Sequence, residues 1–289
     1  MKTFKLYRVF VYVMLVLLAV SIIVPVAWVF VASIKQNKEF YGNPWALPEG
    51  FYFQNFVDAW TKARMGDYLL TSVLVTAMAL ILLLVIALPA SYAISRFEFR
   101  GRKFLHTAFM AGLFININYI VVPIFLMFVH GDSFLESIGI PSFFLNNPFI
   151  LALVYATNAL PFTVYLLSGY FMTLPHAYEE AAYLDGASHV RTMITIMFPL
   201  AKPAIITIIL FNFLSFWNEY IIAMTLLNDP QGSKTLPVGL LNLASAQNAK
   251  QEYGQLYAGL VIVMLPTIIL YLIVQKKLTQ GMALGGLKG

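Results

Sequence analysis

Residues 9–31 carry no charge, and five more apolar runs of similar length follow along the chain. A helix of about 20 apolar residues spans the ~30 Å hydrocarbon core of a bilayer. Lipid offers no partner to backbone N–H and C=O groups, so such runs must be helices that satisfy those groups internally. The pattern predicts an all-α membrane protein, a single transmembrane domain over residues 1–289. Its six helices fall at about 9–31, 68–95, 104–129, 149–172, 204–227 and 254–275, with a polar interruption at 173–203. Composition agrees: 60% of residues are hydrophobic and 11% charged, against about 25% charged in a soluble domain. Pro25, Pro89, Pro123, Pro161 and Pro266 fall inside the runs, where neighbouring helices can re-satisfy the freed carbonyls.

The absence of cysteine excludes disulfides, thiolate metal sites and cysteine nucleophiles. The net charge of +5 is accounted for by cations beside the spans and does not point to nucleic acid. Lys2, Lys5 and Arg8 precede the first run as they would in a signal peptide. Its apolar stretch is too long for one, and no small-x-small cleavage pattern follows, so a retained helix is expected. With the N-terminus inside, twelve of the eighteen Lys and Arg fall on inner segments and six on outer ones. The positive-inside rule then places both termini in the cytoplasm, and the protein in the inner (cytoplasmic) membrane. The long outer segments, 34–67 and 228–253, read equally as interfacial anchors or as docking surface for an outside partner.

The interruption at 173–203 faces the cytoplasm in this topology. Pro175 suits a first helical turn, and Glu179 and Glu180 favour the positive end of the helix dipole. Leu174, Ala177, Ala181 and Leu184 share one face. Gly186 suits the position after a helix end, Ser188 can cap the next helix, and Pro199 and Pro203 break it. Two short helices joined at a glycine are expected, either resting on the membrane or offered to another surface.

The lettering is more specific. Glu180-Ala181-Ala182, three residues, Gly186, nine residues, then Ile196-x-Phe198-Pro199 resembles the signature of the permease subunits of ABC importers, with Phe198 where leucine is usual. Phe216–Tyr220 (FWNEY) and the tail from Gly281 (GMALGGLKG) resemble the carbohydrate branch, in particular the second permease subunit of maltose-type and glycerol-phosphate-type systems. The resemblance implies that the 173–203 segment is a coupling helix seated on a cytoplasmic ATP-binding subunit, through Glu179, Glu180, Ala181, Ala182, Asp185, Gly186, Ile196 and Pro199. It also implies a tail contact with the ATP-binding pair through Gly285, Gly286 and Lys288. The implied partners are a homologous companion permease, two ATP-binding subunits, an extracytoplasmic solute-binding protein and a sugar.

Chemistry of the chain's own is not expected. Gly281, four residues, Gly286, then Leu287-Lys288-Gly289 fails the phosphate-loop pattern. Hence no cofactor is expected, ATP–Mg being held by partner subunits. The four histidines lie at span ends or in loops, and no metal-ligand spacing is present. Glu219 is the one acid within an expected span, either paired structurally or acting as a gate. Asn116, Asn118, Asn158, Asn212 and Asn218 either line a translocation path or join helices. An ion-coupled secondary transporter is the alternative. It calls for ionisable groups at mid-membrane and an internal repeat.

The topology is checked by labelling. A lone cysteine replacing Lys38 is expected to react with an impermeant maleimide in intact cells, and one replacing Arg100 only after permeabilisation. The opposite pattern contradicts the orientation.

Overall fold

Where the sequence runs apolar the backbone is helical, and where it changes character the helices break. The computed structural model describes residues 2–41, 43–230, 232–250 and 252–286, and no strand occurs among them. Contacts divide the chain into two units. One comprises the chain up to Gly66 with Gly239–Pro266, the other Asp67–Val238 with the chain from Thr267 onward.

In the first unit, α1 (Lys2–Ser33) is apolar on every side, and its most hydrophobic window has no buried residue. That is the signature of a helix solvated by lipid. The segment after it is tied down by polar groups. The buried Lys35 donates its Nζ to Pro44 O at 2.7 Å. Glu39 accepts the N–H groups of Gln36 (2.8 Å) and Glu49 (3.0 Å). Burial opposes ionisation of Glu39, but these N–H groups, with Lys35 and Lys38 nearby, hold its carboxyl below the usual range. From α2 (Gln54–Thr61), Asn55 donates to the carbonyls of Ser33 and Lys35 at 2.9 and 2.8 Å.

The remaining helices are α3 (Met65–Arg96), α4 (Arg102–Gly112), α5 (Ile117–Ser137), α6 (Pro148–Thr173), α7 (Ala177–Leu184), α8 (His189–Leu200), α9 (Lys202–Asn218), α10 (Ile221–Leu226), α11 (Leu236–Lys250) and α12 (Tyr253–Gly286). Among the described residues five are long and apolar enough to span: α1, α3, α5, α6 and α12. The pair α8–α9, bent by 75°, makes a sixth where it is counted as one broken span. The bend follows from Pro199 and Pro203, which lack N–H donors. A π turn over Met193–Met197 precedes it, with Phe198 N–H reaching back to Met193 O. The core of the second unit includes Val75, Ala79, Leu83 and Ala87 of α3 and Leu151, Ala152 and Ala156 of α6, and the two helices meet where the Tyr92 and Phe171 rings lie 5.7 Å apart. Small residues at this spacing let helix backbones approach closely where lipid gives no hydrophobic drive.

Two expected helices are each broken in two. The run 104–129 becomes α4 and α5, because Asn116 adopts an extended backbone and accepts the Asn118 N–H at 3.0 Å, capping α5. At α4's end Gly112 lies against Pro161, which a Cβ would meet at 2.8 Å. The run 204–227 breaks at Glu219. Its Oε1 accepts the Ile222 N–H (2.8 Å), and its Oε2 accepts the Ala223 N–H (3.1 Å) and the Tyr155 hydroxyl (2.6 Å). The carboxylate thereby starts α10 and joins it to α6. A buried acid, Asp132 on α5, accepts the N–H groups of Phe143, Phe144 and Leu145 at 2.7, 2.8 and 2.9 Å and pins the turn into α6.

Replacing Glu219 by alanine leaves two N–H groups and a phenol unpaired. A loss of about 2–3 kcal/mol is expected, read by thermal unfolding of the detergent-solubilised protein. Tyr155→Phe is expected to cost about 1 kcal/mol. Loss no greater than in the exposed-site variant Glu252→Ala contradicts this role.

Candidate functional site

The interrupted segment is built backward from its capping geometry. Glu179 and Glu180 sit in the first turn of α7. At the other end Gly186 has φ +78°, with hydrogen bonds from Gly186 N to Tyr183 O (3.0 Å) and from Ala187 N to Ala182 O (2.9 Å). This double bond pattern around a left-handed residue is the Schellman stop. Ser188 caps α8, accepting from Arg191 N at 3.4 Å. His189 then sits between two rings, 4.8 Å from Tyr183 and 5.3 Å from Phe97, with its Nδ1 2.8 Å from the Tyr183 hydroxyl.

The face of α7 that turns inward is not the one its apolar residues mark. Ala177, Ala181 and Leu184 are exposed, Leu184 by 89%, while Glu179 and Ala182 are buried. The reason is a polar pocket under the helix. Tyr92 Oη donates to Glu179 Oε1 at 2.7 Å, and Arg96 Nε lies 3.5 Å from the same oxygen. Arg96 also donates to Leu174 O at 2.6 Å and reaches His176 Nε2 at 3.1 Å. A guanidinium only donates, so Nε2 accepts, and His176 Nδ1 can direct its proton to Glu179 Oε2, 3.3 Å away. The side chains of Arg96 and Glu179 are 2% and 7% exposed. A charge pair this dry holds only while both members are present.

The motif residues therefore divide. Glu180, Ala181, Asp185 and Gly186 lie on the surface. Glu179 and Ala182 face inward, so Glu179 positions the helix from beneath. Ile196 is partly buried, and Pro199 is exposed at the bend. Between the exposed acids Glu180 and Asp185 and the exposed Arg191, the outer surface leaves Leu184, Val190 (61% exposed) and Ile194 (53%) uncovered.

The asparagines separate as well. Asn116 is a helix cap. Asn212 is buried and donates to Thr163 Oγ1 at 3.1 Å and Ile208 O at 2.9 Å, joining α9 to α6. Asn218 bonds its own helix at Leu214 O (2.8 Å). Asn118 is exposed. Asn158 lies on the wall of an otherwise largely apolar cavity of about 450 Å3 between α5 and α6. Gly285 and Gly286 end α12, and Lys288 lies outside the described residues. Sequence reasoning missed Tyr92, Arg96, His176 and His189. Arg96 read only as a topological charge, and nothing links it in sequence to a carboxylate eighty-three residues on.

The family model of the binding-protein-dependent transport system inner membrane component matches residues 84–284, including this whole segment. The chain belongs to that family. Among curated relatives of this permease, the diacetylchitobiose uptake system permease protein NgcG of Streptomyces coelicolor is 35% identical over 94% of this chain and 86% of its own length. The trehalose/maltose transport system permease protein MalG of Thermococcus litoralis is 29% identical over the full length of both. Among solved structures, a chain of a bacterial ABC transporter importing the acidic polysaccharide alginate superposes with a TM-score of 0.75, at 25% identity, covering 94% of this chain and 96% of that one. The permease is thus a multi-pass membrane transport component, and the ion-coupled alternative is set aside.

Removing Glu179 from this permease strands a buried guanidinium. Glu179→Ala is expected to lower stability by about 3 kcal/mol, and Glu179→Ala with Arg96→Met to recover most of that. Both are measured by thermal unfolding, with limited proteolysis between Thr173 and Ser188. Equal stability of the single variant and the parent contradicts the buried pair.

Proposed function

We propose that this permease forms half of the translocation pathway of an ATP-driven importer for a sugar or oligosaccharide, and that residues 173–203 couple it to the motor. The proposed assembly is this chain, a homologous companion permease, two cytoplasmic ATP-binding subunits that hold and hydrolyse ATP–Mg, and an extracytoplasmic solute-binding protein. The carbohydrate reading rests on the relatives: uptake of diacetylchitobiose, trehalose or maltose, and alginate. Both termini are placed in the cytoplasm by charge bias.

The observation that carries the coupling role is the inverted polarity of α7. An acid is buried and a leucine left bare. A loop that merely rested on the protein would do the reverse. Here the backbone is clamped from within by Glu179, while small Ala177 and Ala181 and the uncovered Leu184 face out. Push on such a surface is passed through Glu179 to Tyr92 and Arg96, and so to the end of α3. The tail contact proposed for Gly285, Gly286 and Lys288 adds a second link to the ATP-binding pair. Of the polar path candidates, Asn158 is the best placed, on a cavity wall. Glu219 is fully engaged in hydrogen bonding and serves the path, if at all, through the shape of the α9–α10 break.

The test is Gly186→Val. A Cβ at Gly186 meets nothing within 4 Å, so the substitution costs only the left-handed backbone, about 1–2 kcal/mol. That is too little to unfold the membrane helices and enough to re-aim α7. Membrane insertion is expected to be normal, vesicle uptake of labelled oligosaccharide to fall at least tenfold, and ATP-binding subunits to be lost on purification or to turn over without transport. Normal uptake with full retention of those subunits contradicts the assignment.

A further inference from the structure

The first unit contains a polar cavity of its own, of about 350 Å3, walled by the segment after α1, by α2 with the turn before it, and by the start of α12. Lys38, Tyr52, Asn55, Asp58 and Glu252 lie on its wall. Three links hold that wall in place. Asn37 Oδ1 accepts the Tyr253 N–H at 2.8 Å. The Tyr52 N–H donates to Ile34 O at 2.9 Å. Gly254 lies so near Asn55 and Lys35 O that a Cβ would meet them at 2.5 and 2.8 Å, so only glycine lets the start of α12 close that side of the cavity.

Two features of the wall are unexplained by the fold. The first is Asn55, which is only 8% exposed. Its Nδ2 donates to Ser33 O and Lys35 O. Its Oδ1 is an acceptor with no donor among the described residues. A buried acceptor left without a donor is costly. Unlike the hydroxyls of Ser168 and Thr235, which are sealed, this oxygen keeps accessible surface, and it is the cavity onto which it opens.

The second feature is the set of groups around that oxygen. Asp58 is engaged, by Gln54 at 2.8 Å and Lys62 at 3.0 Å. The Tyr52 hydroxyl, Lys38 Nζ and the Glu252 carboxyl make no hydrogen bond or ion pair among the described residues. The unused groups are thus an amide oxygen, a phenol, a cation and an acid. A bare anion entering here would meet Asp58 and Glu252, and a bare cation would meet Lys38. A neutral molecule with several hydroxyls suits all of them, because each hydroxyl both donates and accepts.

We propose that this cavity is a carbohydrate subsite that holds one neutral sugar residue, on the side of the membrane that charge bias assigns to the outside. One hydroxyl supplies Asn55 Oδ1 with its donor, others pair with Glu252 and Lys38, and the Tyr52 ring offers a flat apolar surface to the C–H groups of the sugar. The volume suits a small-molecule site, about 300–1,000 Å3. This inference rests on the reading of the chain as a sugar importer's permease. It adds that the permease itself meets the sugar at the outer ends of α1 and α12.

The full chain, in lipid nanodiscs free of glycoside detergent, is titrated with maltotriose and separately with diacetylchitobiose. Binding is read by saturation-transfer difference NMR on the sugar protons. At least one of the two is expected to bind. Glu252→Ala is expected to weaken that binding roughly tenfold and Tyr52→Ala about fivefold. Glu49→Ala removes an exposed acid of the same outer segment outside the cavity and is expected to change nothing. All three side chains belong to exposed residues, so the variants retain the parent's thermal unfolding. Binding of neither sugar overturns the proposal, as does binding that Glu252→Ala and Tyr52→Ala leave at the parent's level. Uptake into vesicles by the complete transporter separates the subsite from the wider reading. Uptake of a sugar that the chain in nanodiscs does not bind overturns the subsite alone. Failure to take up any oligosaccharide overturns the reading and the subsite with it.

Discussion

Hydrocarbon supplies no hydrogen-bond partner, and the interruptions in this protein's apolar helices follow from that constraint. Each opens N–H groups that must find an acceptor carried by the chain. Asn116 does so for α5, Asn147 for α6 by accepting Phe149 N–H at 2.9 Å, and Glu219 for α10. Asp132 does it three times over for the turn before α6. These are the positions where a purely apolar chain would have stayed straight. The polar residues at these breaks are therefore accounted for as backbone partners.

The same logic applies at the membrane's edge, where the Glu179 carboxylate is the acceptor for Tyr92 Oη. It joins two segments that are far apart in sequence and belong to different tasks, a long spanning helix and a short surface one. Because it is dry and charged, the joint is stiff, and it breaks sharply if one member is lost. A stiff joint behind an uncovered apolar face is what a part needs if it is to receive force from a partner and pass it inward. His189, held between Tyr183 and Phe97, braces the second short helix in the same way.

Much of this was legible in the sequence. Uncharged runs announced the spanning helices because length and apolarity alone decide insertion. The glycine stop at Gly186 and the serine cap at Ser188 were readable because both are local, set by backbone shape and one side chain. The family signature marked the segment. What sequence did not reveal depends on contacts across the fold. Ala177, Ala181 and Leu184 share a face as expected, but that face turns outward because Tyr92 and Arg96 on another helix hold Glu179 beneath α7, while Leu174 packs on the core. The breaks at Asn116 and Glu219 were hidden inside runs whose hydropathy stays high. Asp132 escaped notice because α5 runs on to Ser137, beyond the expected span.

The central claim is that α7 offers its exposed face to an ATP-binding subunit while Glu179 holds it from behind. Site-specific photocrosslinking in the assembled transporter tests it most directly, with benzoylphenylalanine placed in turn at Leu184 and, as an exposed control in the segment that charge bias assigns to the outside, at Trp45. The account predicts that Leu184 crosslinks to the ATP-binding subunit, that the yield changes when ATP is added, and that Trp45 gives no such product. Absence of that product at Leu184, in a transporter that still imports its substrate, would contradict the account.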